Sequence, residues 1–262
     1  MKIVGIFLAI LVLIIWAGTG HGAIDETMVL ALSFDEGQGK VAKDSSQYGF
    51  DGDVDGAEWV DGKFGKALEF DGEGVDVVVV ADTPELLLLE GGTLMAWSYI
   101  MTGAGHASWP RIMIKSINNG GTTNGYDFLF DRAGGYSIRF CVHTDVAPGT
   151  ACNSYFPMET DSWHHVAVTF DGETILVYAD GEQVGEGVQL GPTIDSTGFD
   201  LHIGNGAVFD RPFHGIHDEI RIWNRALSED EIKWQMERST NEVVAVEPHL
   251  SLATTWGEIK NE

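Results

Sequence analysis

The run from Ser162 to Gly172, followed by Thr174 to Gly181, limits the fold more than any other part of this chain. Val166, Val168 and Phe170 alternate with His165, Ala167 and Thr169, which is the period of a half-buried strand. Asp171-Gly172 follows with residues that accept positive φ, as a two-residue hairpin turn requires. A second β-rich run, Thr174 to Ala179, ends in another such pair, Asp180-Gly181. Two hairpins in succession make a three-strand meander.

The same grammar recurs along the chain. Strands are expected at Met28–Phe34, Ala67–Phe70, Val75–Val80, Leu94–Ile100, Arg111–Ser116, Tyr126–Phe130, Tyr136–Thr144, His164–Phe170, Ile175–Ala179, Leu201–Ile203 and Gly215–Trp223. Thirty-three glycines and many Asp-Gly pairs punctuate these short segments, the pattern of an all-β sandwich or jelly roll. One helix has a full set of signals. Ser228 caps it, Glu231 three residues on completes a capping box, and Leu227 can staple to Ile232. Glu229, Asp230 and Glu231 sit where the helix dipole favours negative charge. The helix is expected from Glu229 to about Glu237.

Residues 1–23 read as a secretory signal: Lys2, an apolar run from Ile3 to Ala17, then small or polar residues to Ala23. Cleavage after Ala23 leaves about 240 residues, enough for one sandwich, and no later segment is apolar long enough to span a bilayer. Forty acidic against fifteen basic side chains give a formal charge of −25, which argues against nucleic acid as a partner. Cys141 and Cys152, each beside a β-rich run, suit a disulfide in an exported protein; two buried free thiols are the alternative.

Four segments resemble one family, in the right order. Leu32-Ser33-Phe34-Asp35-Glu36-Gly37 with Lys43-Asp44-Ser45-Ser46 through Asp51-Gly52 is similar to its opening motif. Gly65-Lys66-Ala67-Leu68-Glu69-Phe70-Asp71-Gly72 is similar to its G-K-A-L-x-F-D-G strand. The meander matches its W-H-H-V-A…D-G…Y-x-D-G signature. Gly215 to Ser228 resembles its closing strand, with His217 where the pattern has an aliphatic residue. Over about Met28 to Glu237 the chain resembles the LamG-like jelly-roll domains of the concanavalin A-like lectin/glucanase and pentraxin group. The resemblance implies an antiparallel β-sandwich jelly roll with one short C-terminal helix. The expected division is 1–23 signal peptide, 24–240 jelly-roll domain and 241–262 C-terminal tail.

Chemistry is sparser. Adjacent residues on a strand face apart, so His164 and His165 suit packing better than joint chelation. Trp97, Trp163 and Trp223 read as packing residues before they read as sugar platforms. A glycosidase needs paired carboxyls, and the E-x-D-x-x-E strand of this superfamily's hydrolases is missing, as are G-x-S-x-G and H-E-x-x-H. The expectation is therefore no enzyme. Asp51 to Gly56 begins like an EF-hand loop, yet Gly62 stands where the twelfth-position Glu belongs. The resemblance brings the first and last strands together, which would gather Asp35, Asp44, Asp51 and Asp218 as calcium ligands; the alternative is that these acids cap turns and face water. A pentraxin-like second cation site would fall at Asn118-Asn119 and Asn205 to Asp210. The functional expectation is an exported, non-catalytic recognition or adhesion module, secreted, periplasmic or at the cell surface, with an extracellular glycan or glycoprotein as partner. A structural or protein-interaction domain without glycan affinity is the second reading, and a divergent glycan hydrolase the third.

Overall fold

The computed structural model describes residues 25–103, 108–116, 125–132, 135–143, 150–189, 198–208 and 211–244. The expected signal segment and tail residues 245–262 lie outside them. The strands are β1 (Met28–Leu32), β2 (Val41–Ala42), β3 (Gly52–Asp55), β4 (Glu58–Asp61), β5 (Lys66–Asp71), β6 (Val77–Val80), β7 (Gly92–Ile100) and β8 (Arg111–Lys115). They continue with β9 (Gly125–Asp131), β10 (Tyr136–His143), β11 (Thr150–Met158), β12 (Trp163–Phe170), β13 (Thr174–Ala179), β14 (Glu182–Gln189), β15 (Leu201–Ile203) and β16 (His214–Trp223). Two helices follow, α1 (Glu229–Met236) and α2 (Thr240–Val244). The jelly-roll expectation holds, and the first four residues of the expected tail belong to α2.

Two antiparallel sheets face each other. One runs β14-β13-β12-β7-β16-β5-β4, with β1 also pairing β16; the other runs β11-β10-β9-β8-β15-β6-β3-β2. Long β16 joins the chain ends, with Leu32 opposite Ile220. Between the sheets Phe140 of β10 stacks on Phe170 of β12 at 5.6 Å, and Phe130 stacks on Phe213 at 5.9 Å. Each fully buried aromatic of this kind contributes about 1.5–3 kcal/mol of transfer free energy.

The first sheet's outer face carries a second apolar cluster. Met95, Ala167, Tyr178 and Trp223 are covered by Leu227 and Ile232 beside and within α1. The capping box of Ser228 and Glu231 is formed, and the Leu227 and Ile232 staple is buried. The segment that begins like an EF-hand is a strand, in keeping with the missing twelfth-position Glu: in β3 Gly52 and Val54 are buried while Asp53 and Asp55 face water.

Cys141 and Cys152 lie directly opposite each other on β10 and β11 and are bonded, with Cα atoms 4.1 Å apart. Closing so short a loop stabilises by about 2–3 kcal/mol in the chain-entropy account. Reduction is expected to lower the unfolding midpoint accordingly. Unreduced, denatured protein should expose no thiol to alkylation, and finding two would remove the bond.

Candidate functional site

The four acids expected to share a calcium ion divide into two pairs. Asp44 is spent on the backbone: Oδ1 accepts from Ala31 N (2.8 Å) and Ser46 N (2.9 Å), and Oδ2 accepts from Phe50 N (2.8 Å) and Ser46 Oγ (2.7 Å). It folds the 44–50 loop onto β1. Asp51 accepts from Asp44 N at 3.1 Å and pairs with Lys43 Nζ, which holds its carboxyl below the usual range.

Asp35 and Asp218 do converge, on the β4–β5 hairpin. Asp35 Oδ1 accepts from Lys66 N (2.8 Å), and its Oδ2 accepts from Asn241 Nδ2 of α2 (2.6 Å). Asp218 Oδ2 accepts from Phe64 N at 3.0 Å, while its buried Oδ1 has no hydrogen-bond partner. The turn needs glycine here. A Cβ on Gly65 (φ 54°) would stand 2.0 Å from Asp35 Oδ1, and one on Gly62 would stand 2.7 Å from Asp218 Oδ2. Burial pushes the Asp218 carboxyl up to about 8, with Glu219 and Asp35 adding repulsion against the Phe64 amide. Among the described residues no three acidic, His or Cys groups form a metal-holding cluster. Of the four expected ligands, Asp44 and Asp51 have oxygens committed to loop amides and Lys43, while Asp35 and Asp218 meet at the β4–β5 hairpin.

Beyond Asp218 the strand bulges, and Glu219 takes a left-handed conformation at φ 55°. The bulge turns Glu219 toward the helices, where it accepts from the N–H and Oγ of Thr240 and from Arg221. Arg221 is buried and donates further to Gln235 Oε1 (2.9 Å), to the carbonyls of Gln235 (3.0 Å) and Arg238 (2.6 Å), and to Thr240 Oγ1 (2.8 Å). The Asp-Glu-x-Arg run thus caps a hairpin with its first residue and docks α1 and α2 with the other two. On the same strand His217 faces the core. Its ring stacks on Phe213 at 3.9 Å and Nδ1 meets Ser98 Oγ at 3.0 Å; burial pushes its pKa down to about 3. His164 and His165 face apart as expected. His165 is buried against Trp97, and burial, helped by Arg221, pushes it down to about 3.

The uncovered part of the first sheet's outer face is aromatic. Successive strand partners Glu58, Glu69, Ile216, Tyr99 and Trp163 form one row across five strands. Glu58 is exposed and the other four are half-buried, whereas Leu68, His217 and Ser98 on the opposite face are buried. Tyr99 and Trp163 meet edge to face at 5.6 Å. In the next row Lys63 Nζ sits 4.0 Å from the centre of the Trp97 ring. Trp223 and Trp97 are packing residues, as the sequence suggests; Trp163 is half-open to solvent.

A second surface lies at the same end of the sandwich, where Met101 N bonds His214 O and Arg111 N bonds Arg211 O. Trp109 is 40% exposed beneath the Arg211 guanidinium at 5.1 Å. Asn205 is buried and organises this rim: its side chain donates to Gly74 O (3.2 Å) and accepts from Gly206 N (2.8 Å) and Arg211 N (3.2 Å). That commitment leaves it poorly placed as a cation ligand; Asn118, Asn119 and Asp210 lie outside the described residues. Among the described residues no helix is long and apolar enough to cross a membrane.

Comparisons agree with this architecture. No curated protein sequence matches the chain. Its fold is similar to the binding domain of Paraclostridial Mosquitocidal Protein 1 (TM-score 0.64, 14% identity, 80% of this chain and 52% of that one). It is also similar to Domain 4 of AbnA, an extracellular arabinanase of Geobacillus stearothermophilus, in complex with arabinotriose (TM-score 0.59, 19% identity, 80% and 98%). A third is the binding domain of botulinum neurotoxin DC in complex with rat synaptotagmin II (TM-score 0.59, 12% identity, 82% and 52%). The chain spans about half the length of the two toxin domains, and at these identities the likeness is one of fold. A family model matches residues 72–233, more than half of the chain, and the protein belongs to the concanavalin A-like lectin/glucanases superfamily.

Proposed function

We propose that this protein is a secreted recognition module that binds extracellular carbohydrate on the outer-face row of Tyr99 and Trp163. The half-open aromatic pair, flanked by Ile216, Glu69 and Glu58, carries the reading. Aromatic faces suit the apolar side of a sugar ring, and carboxylates accept from its hydroxyls. Two glutamates directly opposite each other repel, which disfavours an anionic ligand. The arabinanase domain, matched over nearly the whole of its length, was solved in complex with arabinotriose, which supports the same reading.

Trp163→Ala should weaken binding to a responsive glycan by at least ~2 kcal/mol, about 30-fold in Kd, as for a central aromatic anchor. Titration against a neutral and anionic glycan panel checks this, with melting curves to confirm folding. An unchanged Kd in both Trp163→Ala and Tyr99→Ala would move the site elsewhere. The synaptotagmin-bound neighbour favours a second reading, a protein partner, which a wholly negative glycan panel would bring forward. Export through residues 1–23 belongs to the proposal, and the mature chain should then begin near Ile24 by N-terminal sequencing. The calcium expectation narrows to Asp35 and Asp218 at the β4–β5 hairpin.

A further inference from the structure

Ser162, His164 and Asp180 form a chain of hydrogen bonds that glycan recognition does not use. Ser162 Oγ lies 2.9 Å from His164 Nε2, and His164 Nδ1 lies 2.9 Å from Asp180 Oδ2. The other carboxylate oxygen, Oδ1, accepts from His165 N at 2.9 Å, which fixes the carboxylate's orientation. A proton on Nδ1 facing the carboxylate leaves Nε2 as the acceptor for the serine hydroxyl. Ser162 and His164 are half-buried at the surface, within reach of a solute.

The backbone just before this chain is held in an uncommon state: Asp161 has φ 59°, whereas the φ of 50° at Asp180 is the one its Asp-Gly hairpin turn requires. Asp161 is pinned there: its N–H donates to Ile100 O (2.8 Å), and its carboxylate accepts from Thr102 N (3.0 Å) and Thr102 Oγ1 (3.0 Å). Residues kept in such conformations by surrounding hydrogen bonds cluster at functional sites. A hydroxyl bonded to a base, with the base oriented by a third group, is the arrangement of an activated nucleophile.

We propose that Ser162 is a nucleophile toward carboxylic esters, with His164 as its general base and Asp180 as the orienting group. Ser162 Oγ would bond to the acyl carbon while its proton passes to His164 Nε2. Collapse breaks the bond to the leaving alcohol, which takes that proton, and leaves an acyl-serine. Water then attacks the acyl carbon, gives a proton to His164, and releases the carboxylic acid as Ser162 regains its hydrogen. No oxidant, metal or further reactant enters. This inference stands apart from glycan recognition, because it rests on other residues and has its own readout.

The test treats the folded full-length protein with a fluorophosphonate and weighs the products. One adduct per chain is expected, mapping to Ser162, lost in Ser162→Ala and slowed at least about 100-fold in His164→Gln. Hydrolysis of p-nitrophenyl acetate should be lost in Ser162→Ala and fall in Asp180→Asn. A cysteine reports the same pairing separately, since both native cysteines are bonded. Ser162→Cys should be alkylated by iodoacetamide at pH 6 faster than a model thiol, and adding His164→Gln should abolish the advantage. Melting curves certify each variant as folded. An unlabelled wild type beside a labelled serine-hydrolase control would overturn the proposal, as would equal labelling of Ser162→Ala or of His164→Gln.

Discussion

Stability should peak near pH 6.5, and Asp218→Asn should erase the alkaline side of that peak. The buried Asp218 carboxyl is raised from 3.8 to about 8, while buried His165 and His217 are lowered from 6.5 to about 3. From about pH 4 to 6.5 the unfolded chain binds two more protons at the histidines and one fewer at Asp218, so stability rises with pH. Above 6.5 the unfolded histidines lose their remaining protons and Asp218 comes to dominate: the native state keeps a proton that the unfolded state has lost, and stability falls until about pH 8. At about 1.4 kcal/mol per pH unit the Asp218 contribution is a little under ~2 kcal/mol, and the unfolded histidines offset about half of it, which leaves a limb of ~1 kcal/mol. Urea midpoints in EDTA at pH 6.5 and 8 measure it, and a flat wild-type profile would refute the assignment. The same titration in millimolar calcium separates two ways of neutralising the group. A limb abolished by calcium in the wild type, with Asp218→Asn indifferent, would give the place of the proton to a cation held with Asp35.

Replacing Arg221 should be the most damaging single change. Its guanidinium is buried and satisfies Glu219, the carbonyls of Gln235 and Arg238, the Gln235 side chain and Thr240. Arg221→Met would leave Glu219 charged and unpartnered by a cation, at a cost of about 3–5 kcal/mol. Adding Glu219→Gln should recover part of that loss, so the double-mutant cycle should show coupling well above the additive limit of ~0.5 kcal/mol. Additive losses would mean that the pair is not an energetic unit. Chemical denaturation of the four proteins decides it.

The parts legible in the sequence were those whose cause is local. The β12–β13 hairpin follows from alternation and an Asp-Gly turn, and α1 from its capping box. Asp35 and Asp218 met because strand order brings the chain ends together. The amide partners of Asp44, Ala31 and Phe50, were not legible, because they are fixed by how the loop lies on β1. Strand β14 was invisible for another reason. As an edge strand of Glu, Gln and Gly with only Val184 and Val188 among them and no buried position, it shows too little apolar alternation to detect. Asp180 reaches His164 only once the hairpin has formed, 16 residues along the chain. The Tyr99 and Trp163 row needed the register of five strands.

The placement of β16 also sets the order in which this protein can be made. Synthesis delivers it after fifteen other strands, yet it lies in the middle of its sheet, between β7 and β5, and also pairs β1. Thr27 receives a hydrogen bond from Arg225, 198 residues later. Until that segment leaves the ribosome, β5 and β7 lack a neighbour on one side and present open strand edges, the surfaces most prone to pair with another chain. Contacts of such sequence separation also slow folding, because the closure entropy comes before the contacts that offset it. Nascent chains cut short before β16 should therefore be kept soluble only by a chaperone, and emergence of β16 is the step that commits the sandwich to close.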